Sequence, residues 1–195
     1  VTGKRRLDCD VRTMGIGKSG DADGQHTLDD GRLSQRMGPP YGPTLRNYAL
    51  ALACTGEYGQ FHGGTESTVL SAMNTSINRM NSIAEPELAI RLNLIPNNDD
   101  LIFLNSSTDP YTNSNGGAML SQNQSTINSI IGASNYDIGH VFSTGGGGVA
   151  YLGSVCTSFK AGGVTGLPSP VGDPFDVDYV AHEMGHQFGC NHTFN

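Results

Sequence analysis

Three histidines and one glutamate near the carboxy-terminal end carry the most specific chemistry in this sequence. The segment Ala181-His182-Glu183-Met184-Gly185-His186-Gln187-Phe188-Gly189-Cys190-Asn191-His192 contains HExxHxxGxxH in full. On a helix, His182 and His186 stand one turn apart on the same face. Glu183 is adjacent to the first of them and can reach a metal-bound water without itself being a ligand. Gly189 can take positive φ, end the helix and swing His192 back as a third donor. Three neutral imidazoles leave one position on a zinc ion open, the arrangement of catalytic zinc. HExxH alone also occurs by chance in structural helices. The longer form fixes five residues at set offsets, so we read a catalytic metal site with His182, His186 and His192 as ligands and Glu183 as general base.

Several elements must position that segment. A final helix is predicted from about Asp176 to Phe188. Leu45, Tyr48, Leu50, Leu52 and Cys54 predict a mostly buried strand, followed by a glycine-punctuated loop over Gly56–Gly64. Val69, Leu70, Met73, Ile77, Met80 and Ile83 recur at helical spacing and predict a helix from Glu66 to Ala84, capped by Thr65 or Ser67 and with Pro86 near its end. Leu88, Ile90, Leu92 and Leu94 alternate as in a half-buried strand. A second helix is predicted over Ser121–Ile131, and strands over Tyr136–Phe142 and Val149–Phe159, with a Gly/Pro loop over 161–174. Strands alternating with helices suggest an α/β sheet with helices packed on it, and one antiparallel edge strand is allowed. Residues 1–43 lack clear apolar periodicity and read as an amino-terminal arm. The domain that carries the motif then spans 44–195.

Composition narrows the function classes. The chain has 195 residues, and a 36% hydrophobic share alongside 27 glycines is ordinary for a globular protein. Eleven basic against 18 acidic residues give a net charge of −7, which argues against a nucleic-acid partner. No apolar run approaches the roughly 18 residues of a membrane helix. Only 15% of residues are charged, and the four cysteines are widely spaced with no CxxC. Low charge and an even cysteine count favour a secreted, disulfide-bonded protein. Four cysteines allow three pairings, and spacing does not choose among them. The start at Val1-Thr2-Gly3 reads as a processed or trimmed end.

The extended motif resembles the signature of the metzincin clan of zinc endopeptidases. Gly148-Val149-Ala150-Tyr151-Leu152-Gly153-Ser154-Val155-Cys156 is similar to the substrate-binding edge strand of the reprolysin (adamalysin) branch, which reads Gly-Leu-Ala-Tyr-Val-Gly-x-x-Cys. Leu50 to Tyr58 and Phe61 to Gly64 resemble the first strand and following loop of bacterial secreted reprolysin-like proteases. The resemblance implies an α/β (α+β) fold: a twisted five-stranded mixed sheet with one antiparallel edge strand, a backing helix over Glu66–Ala84 and an active-site helix. It implies one catalytic zinc ion and a protein or peptide substrate held in extended form along Gly148, Val149, Ala150, Tyr151, Leu152 and Gly153. Glu183 would act on the attacking water as base and then on the leaving amine as acid. Metzincins also carry a methionine turn downstream of the third histidine. All six methionines here precede His192, so that turn and most of the carboxy-terminal subdomain are expected to be absent from this chain.

Other residues have plainer readings. A Cys156–Cys190 disulfide would anchor the motif loop to the edge strand, with Cys9–Cys54 as the second pair. Alternatively, Cys9 or a neighbouring aspartate in Arg5–Asp10 would block the zinc, as prosegments do in metzincin zymogens. Asn97–Asp100 and Asp173–Asp178 offer oxygen donors of the kind calcium takes, though solvated loop is the better reading. Asp21-Ala22-Asp23-Gly24 begins like a calcium loop, but Arg32 stands at its twelfth position, which excludes an EF-hand. His140, inside a predicted strand, reads as a hydrogen-bonded core histidine.

Overall fold

The computed structural model describes residues 12–14 and 44–192. Cys9, the Asp21 loop and the expected zymogen-type contacts of the arm lie outside these residues.

The 10-residue strand β2 (Leu45–Cys54) organises the sheet. Leu50, Leu52 and Cys54 pack on one face and Ala51 and Ala53 on the other, all fully buried, so period-two alternation feeds two cores. β3 (Ile90–Leu94) and β4 (Ile138–Ser143) run parallel to β2 on either side, and β6 (Gly163–Gly166) runs parallel to β4. β5 (Gly147–Ala150) closes that end as an antiparallel edge. These five strands form the expected mixed sheet. A three-residue strand, β1 (Arg12–Met14), adds antiparallel to the start of β2, inside the segment read as an arm.

Helices cover both faces. α2 (Glu66–Leu88) lays Val69, Met73, Ile77, Met80 and Ala84 on the Leu50 face. Burial of each large side chain there stabilises by about 1.5–3 kcal/mol. α3 (Gly116–Ile130) covers the Ala51 face with Met119, Leu120 and Ile127. A composite helix shares the first face with α2. It consists of α4 (Asp173–Phe175), a π-helical stretch (Asp176–Ala181) and α5 (His182–Gln187).

Five expectations change. The glycine-rich loop after β2 starts as a helix, α1 (Gly56–Phe61), because Thr55 accepts from the Tyr58 amide as its cap and Tyr58 is fully buried. α2 runs past Ala84 through Pro86 to Leu88, although the proline gives up one i→i−4 hydrogen bond, and the chain turns at Ala89 in the left-handed conformation. α3 begins five residues early, where Asn115 caps it by accepting from the Ala118 amide. The long strand expected over 149–159 ends at Ala150. The missing strand is β6, in the stretch read as a Gly/Pro loop, and its four residues are all buried. Gly-Val-Thr-Gly is too short for a readable period and earns its place only by lying between β4 and β5.

Candidate metal centre

His182 and His186 sit one turn apart on α5, as their spacing requires. The helix stops at Gln187, and Gly189 takes φ +97°. That left-handed turn is closed by bonds from the Gly189 amide to the His186 carbonyl (2.9 Å) and from the Cys190 amide to the Gly185 carbonyl (3.0 Å). It returns His192 to the helix. The three Nε2 atoms then form a near-equilateral triangle with sides of 3.0, 3.1 and 3.1 Å. Among the described residues, this is the one group of three or more His, Cys, Asp or Glu side chains placed to hold a metal ion.

The donor set fits a cation. His186 Nδ1 lies 2.7 Å from the Cys190 carbonyl, which can only accept, so Nδ1 carries the proton and Nε2 presents a bare lone pair. Burial and the two neighbouring imidazoles push His182 below the usual histidine range, which favours its neutral form. Lone pairs converging at this distance repel unless a cation sits among them. Nitrogens bound to zinc at ~2.0–2.1 Å in a tetrahedron stand ~3.3 Å apart, close to the observed sides.

Glu183, next to His182 on the same helix, is buried, with 6% exposure. Burial pushes its carboxyl up, and His186 partly offsets this. It lies directly against the edge strand: a Cβ on Gly148 would stand 2.4 Å from Glu183 Cγ and 2.5 Å from Oε1. Gly148 is therefore a packing requirement as well as a position on the strand.

The remaining segment expected to hold substrate divides in two. Gly148, Val149 and Ala150 lie on β5 at the sheet edge. Tyr151, Leu152 and Gly153 lie beyond it in a turn. Tyr151 and Leu152 are 42% and 56% exposed. The Gly153 amide donates to the His186 carbonyl (2.9 Å) and the Val155 amide to the Gln187 carbonyl (3.2 Å), so this turn caps the metal helix.

The disulfide pairings do not form. Cys54 is a free, buried thiol that donates to the Phe103 carbonyl, and burial pushes it up to about 12. Cys190 is free and exposed. With these two unbonded, neither Cys156–Cys190 nor Cys9–Cys54 exists. Cys54 sits on the face of β2 that fills the core, where apolar packing claims it. Among the described residues, nothing supports the calcium reading over solvated loop, and several of the oxygen donors are already engaged. Asp173 bonds Arg79 through both oxygens (2.8 and 2.9 Å), Asp176 accepts from Ser76 (2.6 Å), and Asn98 bonds the Leu52 backbone.

Sequence reasoning missed one buried partner of the site. Gln187 is fully buried, and its amide meets His140, which is indeed a hydrogen-bonded core histidine. A polar residue on the core side of an amphipathic helix was the available signal.

The sequence profile described as metallo-peptidase family M12B, reprolysin-like, matches residues 70–193, from α2 to the third histidine. No curated protein matches the chain. A solved structure titled "Structure of a chaperone-substrate complex" has a TM-score of 0.53 and 17% identity, over 76% of this chain and 25% of that one, which is a likeness of fold. This chain spans about a quarter of the length of that structure's chain. The profile covers well over half of the residues and ends on the histidine triangle. The chain belongs to the reprolysin-like M12B family of metallopeptidases.

Proposed function

We propose that this chain is a zinc-dependent endopeptidase, secreted, that cleaves protein or peptide substrates lying extended along β5. The triangle of Nε2 atoms, 3.0–3.1 Å on a side, carries the reading. His182, His186 and His192 would hold the ion. A bound zinc would supply Lewis-acid polarisation of the attacking water and the scissile carbonyl. Glu183 takes the proton from that water and delivers it to the leaving amine. Its burial against Gly148 keeps the carboxylate aimed at the strand on which substrate lies and excludes bulk water from one side. Gly148, Val149 and Ala150 offer the free edge of the sheet to a peptide backbone. Secretion is supported by the low charged fraction of 15%.

Digestion of casein, with and without a chelator, tests the reading alongside two variants. His186→Ala is expected to lose zinc on dialysis. Glu183→Ala is expected to keep zinc and lose at least ~100-fold in turnover. Unchanged turnover by Glu183→Ala would overturn the assignment. Zinc binding without cleavage of any peptide would favour a binding module on the same fold. Recovery of the native protein from inside the cell rather than from the medium would overturn secretion.

A further inference from the structure

We propose that Gln187, His140 and Thr165 are positioning residues, forming a buried brace that sets the register of the metal helix on the sheet and thereby aims His186 and Glu183. The inference rests on the zinc-peptidase reading above. Gln187 follows His186 directly, so any slide or roll of the helix that moves one moves the other.

Every polar atom of the brace is matched. Gln187 Nε2 donates to the Gly139 carbonyl (3.0 Å) and the Lys160 carbonyl (3.3 Å), which fixes the orientation of the amide. Its Oε1 therefore faces His140 Nδ1 at 2.8 Å. An amide oxygen only accepts, so His140 carries its proton on Nδ1 and leaves Nε2 to accept from the Thr165 hydroxyl at 2.9 Å. Gln187, His140 and Thr165 are all fully buried. The backbone of β6 closes over them. A Cβ at Gly163 would stand 2.3 Å from Gln187 Oε1 and 2.4 Å from His140 Nδ1.

The brace also returns to the catalytic carboxylate. Thr165 pairs across the ladder with Gly148, and Gly148 is the residue against which Glu183 lies. The path runs from α5 through β4, β6 and β5 back to α5. Anchoring alone would be served by apolar packing, as Met184 provides against the other core. A saturated, directional set of hydrogen bonds does something apolar contact does not: it admits one register. Residues that orient metal ligands from behind commonly change metal affinity or activity 10–100-fold when altered.

The test compares Thr165→Val, which removes only the hydroxyl at nearly constant volume, with Thr165→Ser, which keeps it. Zinc affinity is read by chelator competition using zinc alone, and kcat and KM are read on a casein-derived peptide, below each variant's melting temperature. Thr165→Val is expected to lose roughly tenfold in zinc affinity or in kcat with KM little changed, and Thr165→Ser to recover most of that loss. Gln187→Met, which fills similar space without the amide, is expected to lose more and serves if Thr165→Val does not fold. Variants that melt earlier yet keep wild-type zinc affinity and kcat would overturn the proposal, leaving only a structural role. A wild-type chain that holds zinc and cleaves nothing would overturn the peptidase reading, while the affinity comparison would still decide the brace.

Discussion

The two helices on the Leu50 face of the sheet are built on opposite principles. α2 is 23 residues long, starts on Thr65, which accepts from the Thr68 amide, and ends on Ala89 in the left-handed conformation. Its apolar stripe recurs every three or four residues. The composite metal helix has no side-chain cap on any of its three parts and passes through a π-helical stretch just before His182. It is held from outside. Ser76 and Arg79 of α2 bond Asp176 and Asp173, Gln187 plugs into the sheet, and Gly153 and Val155 cap its last carbonyls. A short helix is marginal by itself, so the segment that carries the chemistry takes its position from the rest of the fold. π-turns are frequent at such functional sites.

That contrast can be broken at the metal helix with the largest effect at Gly148→Val. The new side chain must displace Glu183, whose Cγ lies 2.4 Å from where a Cβ would be. Turnover is expected to fall by ~100-fold or more, since misplacement of about 1 Å costs that much. The melting temperature should fall as well, because forcing the buried Glu183 side chain aside costs about 1–3 kcal/mol. Assays of kcat/KM beside a thermal melt check both halves.

The next effect is on pH. Burial pushes His140 down to about 4, and the groups facing it, Gln187, Thr165 and Phe142, are uncharged. In the unfolded chain the same imidazole titrates near 6.5, so the unfolded state binds the extra proton. This contribution to stability is complete above pH 6.5 and is lost as the pH falls towards 4, by about 3 kcal/mol in all. Denaturant midpoints measured from pH 7 to 4.5 should fall in the wild type, and this part of the slope should vanish in His140→Phe.

Ser76→Ala severs the buried tie between the two helices and leaves an Asp176 oxygen without its donor. A loss of about 2 kcal/mol is expected for a hydrogen bond to a charged group, together with weaker zinc binding, because the tie holds the π-helical stretch. Denaturant titration and chelator competition on the same variant would show both losses. Smallest is Thr65→Ala, which removes an exposed cap of α2 at a cost of about 1 kcal/mol. Zinc affinity and turnover should not move. If Thr65→Ala disturbed zinc affinity as much as Ser76→Ala, the division between the two helices would be wrong.

Legibility followed range along the chain. α2 was readable because Val69, Met73, Ile77 and Met80 declare their face within one element. The histidine triangle was readable because the offsets within HExxHxxGxxH fix it locally. α1 was hidden among glycines, since its cap Thr55 and its buried Tyr58 are single residues rather than a period. β6 was hidden because four residues carry no pattern. The disulfide pairings failed because cysteine spacing says nothing of which face of a strand a thiol occupies.

By itself, then, the sequence determined the candidate metal ligands, the buried strand β2 and the long helix behind the site, since each follows from a backbone repeat acting over a few residues. Only the tertiary structure decided where Glu183 rests, which residues brace the helix and which carbonyls are capped. Those depend on partners such as His140 and Gln187, 47 residues apart. Contacts over that distance are set by packing of the whole sheet, and no local spacing encodes them.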